Sequence, residues 1–366
     1  MRVLFLLPGL HRVQRGAEVA FESVARELAL HGDDVTLMGS GHPRPDDPYA
    51  FVRVPVIPRE RFERWPNFPP LRNAPAYEGL SGVPGELRAF HPGDFDVTLT
   101  CGYPLENWVL RKPRLRGNRP AHVFVSQNGD WPAYANNREY RWFGCEGLVC
   151  TNPEYFERNK HRWNCALIPN GVDTDRFVPG AGDRSRFGLP TDMPLVLMVS
   201  ALEDYKRVIE GMRAVASLDG VAMAVAGDGT LRDEVDQLAA EILPGRFVRL
   251  SVDKTEMPEL YRCADAFLHT TLAESFGNVY IEALATGLPI VAHDSTTTQW
   301  ILGDAAQLVD THHHEAIVDA LREALTPASR EATNTRATAA SNRFAWSTIA
   351  AQYRTLMATA IEVANA

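Results

Sequence analysis

Several features are scarce in this 366-residue sequence, and each scarcity removes a class of protein. The five cysteines, Cys101, Cys145, Cys150, Cys165 and Cys263, are odd in number, scattered and without a C-x-x-C pair. That excludes a disulfide framework and a structural zinc site, and it fits a reducing compartment. No apolar run approaches the roughly 20 residues of a membrane-spanning helix. The opening Met1-Arg-Val-Leu-Phe-Leu-Leu-Pro8 is too short for a signal peptide's apolar core and cleavage site. A soluble cytoplasmic protein is expected, with at most peripheral contact with a membrane. Basic residues number 37 against 46 acidic, a net charge of −9, so nucleic acid is not an expected partner. The loop after the first strand lacks G-x-G-x-x-G, which counts against a dinucleotide enzyme.

What is present is an alternation of short apolar strands and amphipathic helices. Val3 to Leu7 reads as a buried parallel strand. A helix from about Ala17 to Leu30 follows, with Phe21, Val24, Ala25 and Leu28 on one face, ended by His31-Gly32. Val35 to Met38 completes a βαβ unit. Further strands are expected at Phe95–Thr100, from His122, at Gly147–Cys150, Pro194–Ser200, Val221–Ala226, Phe247–Ser251, Ala266–His269, Leu288–Ala292 and Ala306–Asp310. The length suits two α/β domains. Their boundary is placed near Gly171, in Ala166-Leu-Ile-Pro-Asn-Gly-Val-Asp173, where Asn170-Gly171 makes a tight turn. Residues 41–95, rich in Pro, Arg and aromatics, read as an irregular excursion. It is either acceptor-facing, its guanidinium groups and rings suiting a sugar or an anionic group, or a plain surface insertion.

The most informative stretch runs from Thr271 through Leu-Ala-Glu-Ser-Phe-Gly-Asn-Val-Tyr-Ile-Glu to Ala-Thr-Gly-Leu-Pro-Ile-Val-Ala-His293, with an apolar strand on each side. Its middle is a loop feeding a crossover helix from about Gly277 to Thr286, whose free N–H groups and positive end suit an anion such as phosphate. Glu274 precedes the helix and Glu282 lies about one and a half turns into it. Both would repel a phosphate, so they fit hydrogen bonding to hydroxyls beside one. The loop resembles the E-x7-E signature of the retaining GT-B glycosyltransferases, specifically glycosyltransferase family 4, the group 1 type. That resemblance implies an α/β fold of two Rossmann-like domains facing across a cleft: residues 1–170 on the acceptor side, 171–345 binding the nucleotide sugar, and a helix over 346–366 packing back on the first domain. It also implies that Glu274, Ser275, Phe276, Gly277 and Asn278 hold the donor sugar and phosphate, and that Glu282 holds the ribose.

Other positions follow from the same resemblance. The family's cationic pair on the diphosphate falls on Ala201 and Lys206; Lys206 keeps its role, and Arg207 is a candidate replacement for the missing arginine. The glycine pair of the first loop is here Arg15-Gly16. Gly227 and Gly229 match the family's G-x-G turn. Where many relatives carry a His at a strand exit, this chain offers Gln127, Asn128 and Asp130, expected to line the cleft; His122 is too early and buried. Asp130 reads either as an orienter of the acceptor hydroxyl or as a turn residue. Arg111 to Arg119 reads as a solvated basic face, and His312-His-His314 as the exposed start of a helix reaching about Leu325.

The implied activity is transfer of a sugar, a hexose by expectation, from a nucleotide-diphosphate donor to a hydroxyl on a carbohydrate, lipid-linked or small-molecule acceptor, with retention. Neither cofactor nor metal is expected. The alternative is a catalytically weak GT-B protein that only binds nucleotide sugar, since Ala201, Arg15 and the absent His all depart from the family pattern.

Overall fold

Continuous burial, rather than alternation, is what a parallel strand covered on both faces requires, and Arg2–Leu6 (β1) shows it, with Val3 to Leu6 all buried. The computed structural model describes residues 1–69, 71–111, 119–138, 140–141, 143–329, 332, 337 and 342–366. Its contacts divide the chain into two units, Met1–Asn170 with Trp346–Ala366, and Gly171–Ala345.

In the first unit β1 is followed by α1 (Gly16–Leu30), β2 (Asp34–Gly39), β3 (Ala50–Arg53), α2 (Ala74–Ala89), β4 (Val97–Thr100), α3 (Leu105–Arg111), β5 (Ala121–Val125), β6 (Gly147–Cys150), α4 (Pro153–Asn159) and β7 (Cys165–Leu167). The strands form one sheet in the order β3-β2-β1-β4-β5-β6-β7, every neighbouring pair parallel. The expected apolar face of α1 is the one buried: Phe21, Val24, Ala25 and Leu28.

Residues 41–95 are more regular than their composition suggests, because they contain β3 and the 16-residue α2. Five helix-weakening residues, Pro75, Gly79, Gly82, Pro84 and Gly85, disguise that helix. The glycines are demanded by packing: a Cβ on Gly79 would come within 2.4 Å of Glu106 Oε1, and one on Gly85 within 2.7 Å of Val54 Cγ1. Two of the segment's acids hold arginines. Arg12 and Arg59 both pair with the buried Glu78, and Arg15 pairs with Glu60.

The second unit contains β8 (Leu195–Val199), α5 (Val208–Ala216), β9 (Ala222–Ala226), α6 (Arg232–Ile242), β10 (Phe247–Leu250), α7 (Met257–Cys263), β11 (Ala266–His269), α8 (Asn278–Ala285), β12 (Ile290–His293), α9 (Thr296–Leu302), β13 (Ala306–Val309) and α10 (His314–Ala324). Its sheet runs β10-β9-β8-β11-β12-β13, also parallel throughout. One core lies on each face of this sheet: Leu197, Ala224, Phe267, Tyr280 and Ile290 in one, Val196, Met212, Val225, Leu268 and Leu321 in the other. The last helix, α11 (Trp346–Asn365), belongs to the first unit, where Ile349, Ala350, Tyr353, Leu356, Met357 and Ala360 join the core beneath α1.

Candidate active site

In the second unit the chain proceeds outward from β8 through β9 to β10, then resumes at β11 on the other side of β8 and proceeds to β13. The loops leaving β8 and β11 therefore part in opposite directions, and the crevice at such a switch point is where open α/β sheets bind ligands. Lys206 comes from the first of these loops and Glu274 from the second, and their side chains form an ion pair. Both are largely buried.

Threonine hydroxyls of the second loop join it to the backbone of the first. Thr270 Oγ1 donates to the carbonyls of Arg207 at 2.6 Å and Lys206 at 3.3 Å, and Thr271 Oγ1 reaches Lys206 O at 3.4 Å. Arg207, the N-cap of α5, sits in the left-handed region at φ 54°. Its Nη2 donates to Thr311 O at 3.0 Å, while its Nε is buried without a hydrogen-bond partner among the described residues. Ala201 brings no charge to this crevice, so Lys206 and Arg207 are the cations that the β8 loop supplies.

Glu274 Oε1 is shared, because His269 Nε2 lies 3.3 Å from it at the end of β11. Burial alone would push the Glu274 carboxyl up, but His269 and Lys206 outweigh it and hold the group below its ordinary value. Burial lowers His269 despite the carboxylate beside it. At neutral pH the arrangement is thus a carboxylate accepting from a neutral imidazole and an ammonium. Tyr280 packs edge-on against His269 at 5.1 Å between ring centres, and its hydroxyl has no hydrogen-bond partner among the described residues.

The amino end of α8 stands directly after this group. Gly277, its N-cap, has φ 82°, and a Cβ there would come within 2.6 Å of the Tyr280 ring, so glycine is required twice over. Phe276 is buried against Trp300 and Phe344. Glu282, on α8, accepts from the Tyr261 hydroxyl at 2.8 Å, and burial pushes its carboxyl up. The two acids of the signature consequently have different partners: Glu274 is held ionised, and Glu282 is held by a phenol.

The remaining expected site residues lie on, or at the end of, the loops that follow β1, β5 and β9. A Cβ on Gly227 would come within 1.8 Å of Ser200 O, and one on Gly229 within 2.4 Å of Leu202 O, so both glycines admit the β8 exit loop against the β9 loop. Gly16 is the first residue of α1, and Arg15 is its N-cap without a side-chain capping bond. In the first unit the side chains of Gln127, Asn128 and Asp130 each meet a different partner. Gln127 exchanges amide hydrogen bonds with Asn170, and Asn128 reaches Cys101 Sγ at 3.4 Å. Asp130, whose carbonyl accepts from Ala133 N–H at 3.2 Å at the start of a tight turn, has its carboxylate held by Asn159 Nδ2 at 2.7 Å and Arg158 Nε at 2.9 Å on α4. His122 is fully buried between Thr98 and Asn107, and burial lowers it to about 3.

Of the basic stretch 111–119, residues 112–118 lie outside the described ones. Its two ends, Arg111 and Arg119, both bind Glu146 and do not form a free basic face. The expected helix start at His312 moves to His314; His312 lies in the preceding turn, where it forms with His293 and Asp310 a group able to hold a metal ion, which linear spacing does not reveal. Sequence reasoning also missed His269, Tyr280, Tyr261 and Thr270. The one available signal was a histidine closing the otherwise apolar Ala266-Phe-Leu-His269.

Two parallel-sheet Rossmann-like units, the second with an ionised carboxylate, a lysine and a helix start at its switch point, give a protein of the GT-B fold. Sequence comparison places it further. The model for glycosyl transferases group 1 matches residues 182–341, and that for glycosyltransferase family 4 matches residues 14–176. The chain belongs to this family. It is 28% identical over 221 residues to the lipopolysaccharide core biosynthesis glycosyltransferase LpsE of Rhizobium meliloti, covering 59% of this chain and 63% of LpsE. It is 34% identical over 178 residues to D-inositol 3-phosphate glycosyltransferase of Mycolicibacterium smegmatis, covering 46% of this chain and 41% of that protein. The matches thus span less than two thirds of either relative. Among solved structures, sucrose-phosphate synthase from Thermosynechococcus elongatus aligns at a TM-score of 0.74 and 20% identity, over 98% of this chain and 99% of that one. Anabaena HepE in complex with UDP-glucose aligns at 0.74 and 16%, with coverage of 98% and 99%. At these identities the structural likeness is one of fold.

Proposed function

We propose that this protein transfers a sugar, with retention, from a nucleotide-diphosphate donor to an acceptor hydroxyl, and that the transfer step uses no metal ion. The observation that carries the proposal is the joining of Lys206, Glu274 and the α8 start at the switch point between β8 and β11. A diphosphate entering this crevice takes Lys206 as counter-ion, with Arg207 beside it and the α8 N–H groups facing it, so charge gathering on the departing phosphate meets preorganised positive groups. Glu274, kept ionised, is an acceptor for donor-sugar hydroxyls, and Glu282 for the ribose diol. The departing phosphate oxygen takes the acceptor's proton. Relatives support this reading: HepE is described in complex with UDP-glucose, and another GT-B neighbour with UDP-2-fluoro glucose. A sugar or phosphosugar acceptor is consistent with the inositol-phosphate relative.

The test has two stages. A panel of nucleotide sugars is screened by thermal shift, since a ligand that binds only the folded form raises its melting temperature. The donor so found is then assayed with Lys206→Ala, which is expected to reduce kcat by about 10²–10³-fold, the cost typical of removing one transition-state charge partner. Full turnover by that variant overturns the assignment. Donor binding without turnover by the wild-type chain, across acceptors, supports the binding-only alternative instead.

A further inference from the structure

We propose that His293, Asp310 and His312 form a binding site for a transition-metal dication of the zinc class, separate from the chemistry assigned to Lys206 and Glu274. His293 ends β12, and Asp310 and His312 lie in the turn between β13 and α10, so parallel pairing of β12 with β13 brings them together at the same edge of the sheet. One ligand atom from each residue lies within 4.8 Å of the others. Tetrahedral ligands of one zinc ion, bound at about 2.0–2.1 Å, stand about 3.4 Å apart. Closing the set thus takes a shift of up to about 1.5 Å in a turn whose His312 side chain is 56% exposed.

The surroundings of the His293 ring can supply what a ligating imidazole needs. Such a histidine usually donates its other ring N–H to a fixed acceptor, which orients the ring and frees the opposite nitrogen. His293 Nδ1 lies 3.0 Å from Thr311 Oγ1, and that hydroxyl donates its own proton to Thr270 O at 3.2 Å, leaving a lone pair for the imidazole N–H. In that tautomer Nε2 of His293 carries no proton. The other tautomer, with Nδ1 accepting from Thr311 N–H at 3.2 Å, is the one that metal binding displaces. His312 Nδ1 sits 2.7 Å from Asp310 Oδ1, and the two rings stand edge to face at 5.7 Å. Two imidazoles and one carboxylate select zinc, cobalt, nickel or copper over magnesium and calcium, which prefer oxygen.

The site reaches the candidate active site through one residue. Thr311, between two of the ligands, gives its carbonyl to Arg207 and its hydroxyl to Thr270. A bound ion therefore fixes the turn that holds the Arg207 guanidinium.

The experiment uses the untagged full chain, stripped with a chelator and titrated with Co²⁺, whose visible absorption reports coordination, followed by competition with Zn²⁺. One Co²⁺ per chain is expected, displaced by Zn²⁺. The affinity should fall at least about tenfold in His293→Gln and in His312→Gln. His314→Gln, outside the set, should bind as wild type. Absence of saturable binding, or equal affinity in all three variants, overturns the proposal. Melting temperatures of the metal-free variants show that each is folded.

Discussion

Glu146 shows how a single charge organises its surroundings. Its carboxylate accepts from Arg119 at 2.6 Å, from Arg111 at 3.2 Å and from the backbone N–H of His122 at 2.9 Å. Burial by itself would raise this carboxyl, but the two guanidinium groups and the amide bring it down to about 2. Because its folded value lies below the unfolded one, the stability it provides is complete above the unfolded carboxylate range and is lost as pH falls toward about 2. Glu146→Ala leaves two partly buried guanidinium groups and a strand amide without their acceptor. An expected loss of about 3 kcal/mol follows, read as a lower urea midpoint with an unchanged slope. Nothing in the sequence singled Glu146 out, because what makes it central is the meeting of residues 27 and 35 positions away. The basic stretch, by contrast, is visible in the sequence, but the acid that its two ends share is not. Lys206 and Glu274 were legible because each occupies a motif position, yet their direct pairing was not, since 68 residues separate them.

At the scale of elements, strands were the easiest to read, since a fully buried parallel strand is a short apolar run and little else competes with that pattern. The helix α8 was legible through the apolar strand on each side of it, which makes it a crossover. Helix α2 was not, because its three glycines answer to Glu106, Glu86 and Val54, which come from elsewhere in the fold or a turn away, while single-sequence propensity sees only helix breakers. The glycine turn after β9 makes the contrast testable. If Gly227 serves the fold before it serves any ligand, Gly227→Ala must push the β9 exit off Ser200 O, where the added Cβ would stand at 1.8 Å. At φ 159° the backbone is nearly extended, so the collision and not the torsion is the cost. A destabilisation of about 2–4 kcal/mol is expected, in the range of overpacking a closed site. Gly220→Ala is the comparison, with open space around its Cβ but φ 67°, and should cost only about 1 kcal/mol. Equal melting temperatures for the two variants would remove the packing explanation.

For the whole molecule, the alkaline side of the pH dependence comes from two acids with no ion-pair partner among the described residues. Glu86 on α2 and Glu106 on α3 are both buried, and their helices pack together. Burial, with the Glu106 charge added, raises Glu86 to about 9, and one of its oxygens has no hydrogen-bond partner among the described residues. Burial raises Glu106 to about 7, with Glu78 pushing the same way. A folded value above the unfolded 4.5 means that the contribution is fully present below about 4.5 and is lost as pH rises through the folded value. Glu146 and His122 act on the acid side; Glu86 and Glu106 act on the other, so the stability of the first unit should peak in mildly acidic solution and decline toward pH 9. The decline can approach about 1.4 kcal/mol per pH unit while one proton is being released. Glu86→Gln keeps the neutral shape but cannot ionise, so denaturation midpoints measured between pH 6 and 9 should fall clearly less steeply for this variant than for the wild type. Parallel curves would mean that Glu86 is already ionised in the native protein and compensated by groups not facing it here. The net charge of −9 offers no rival explanation of a change in slope, since removing one carboxyl proton alters the long-range repulsion by only a small fraction while it abolishes the local cost of burying that charge.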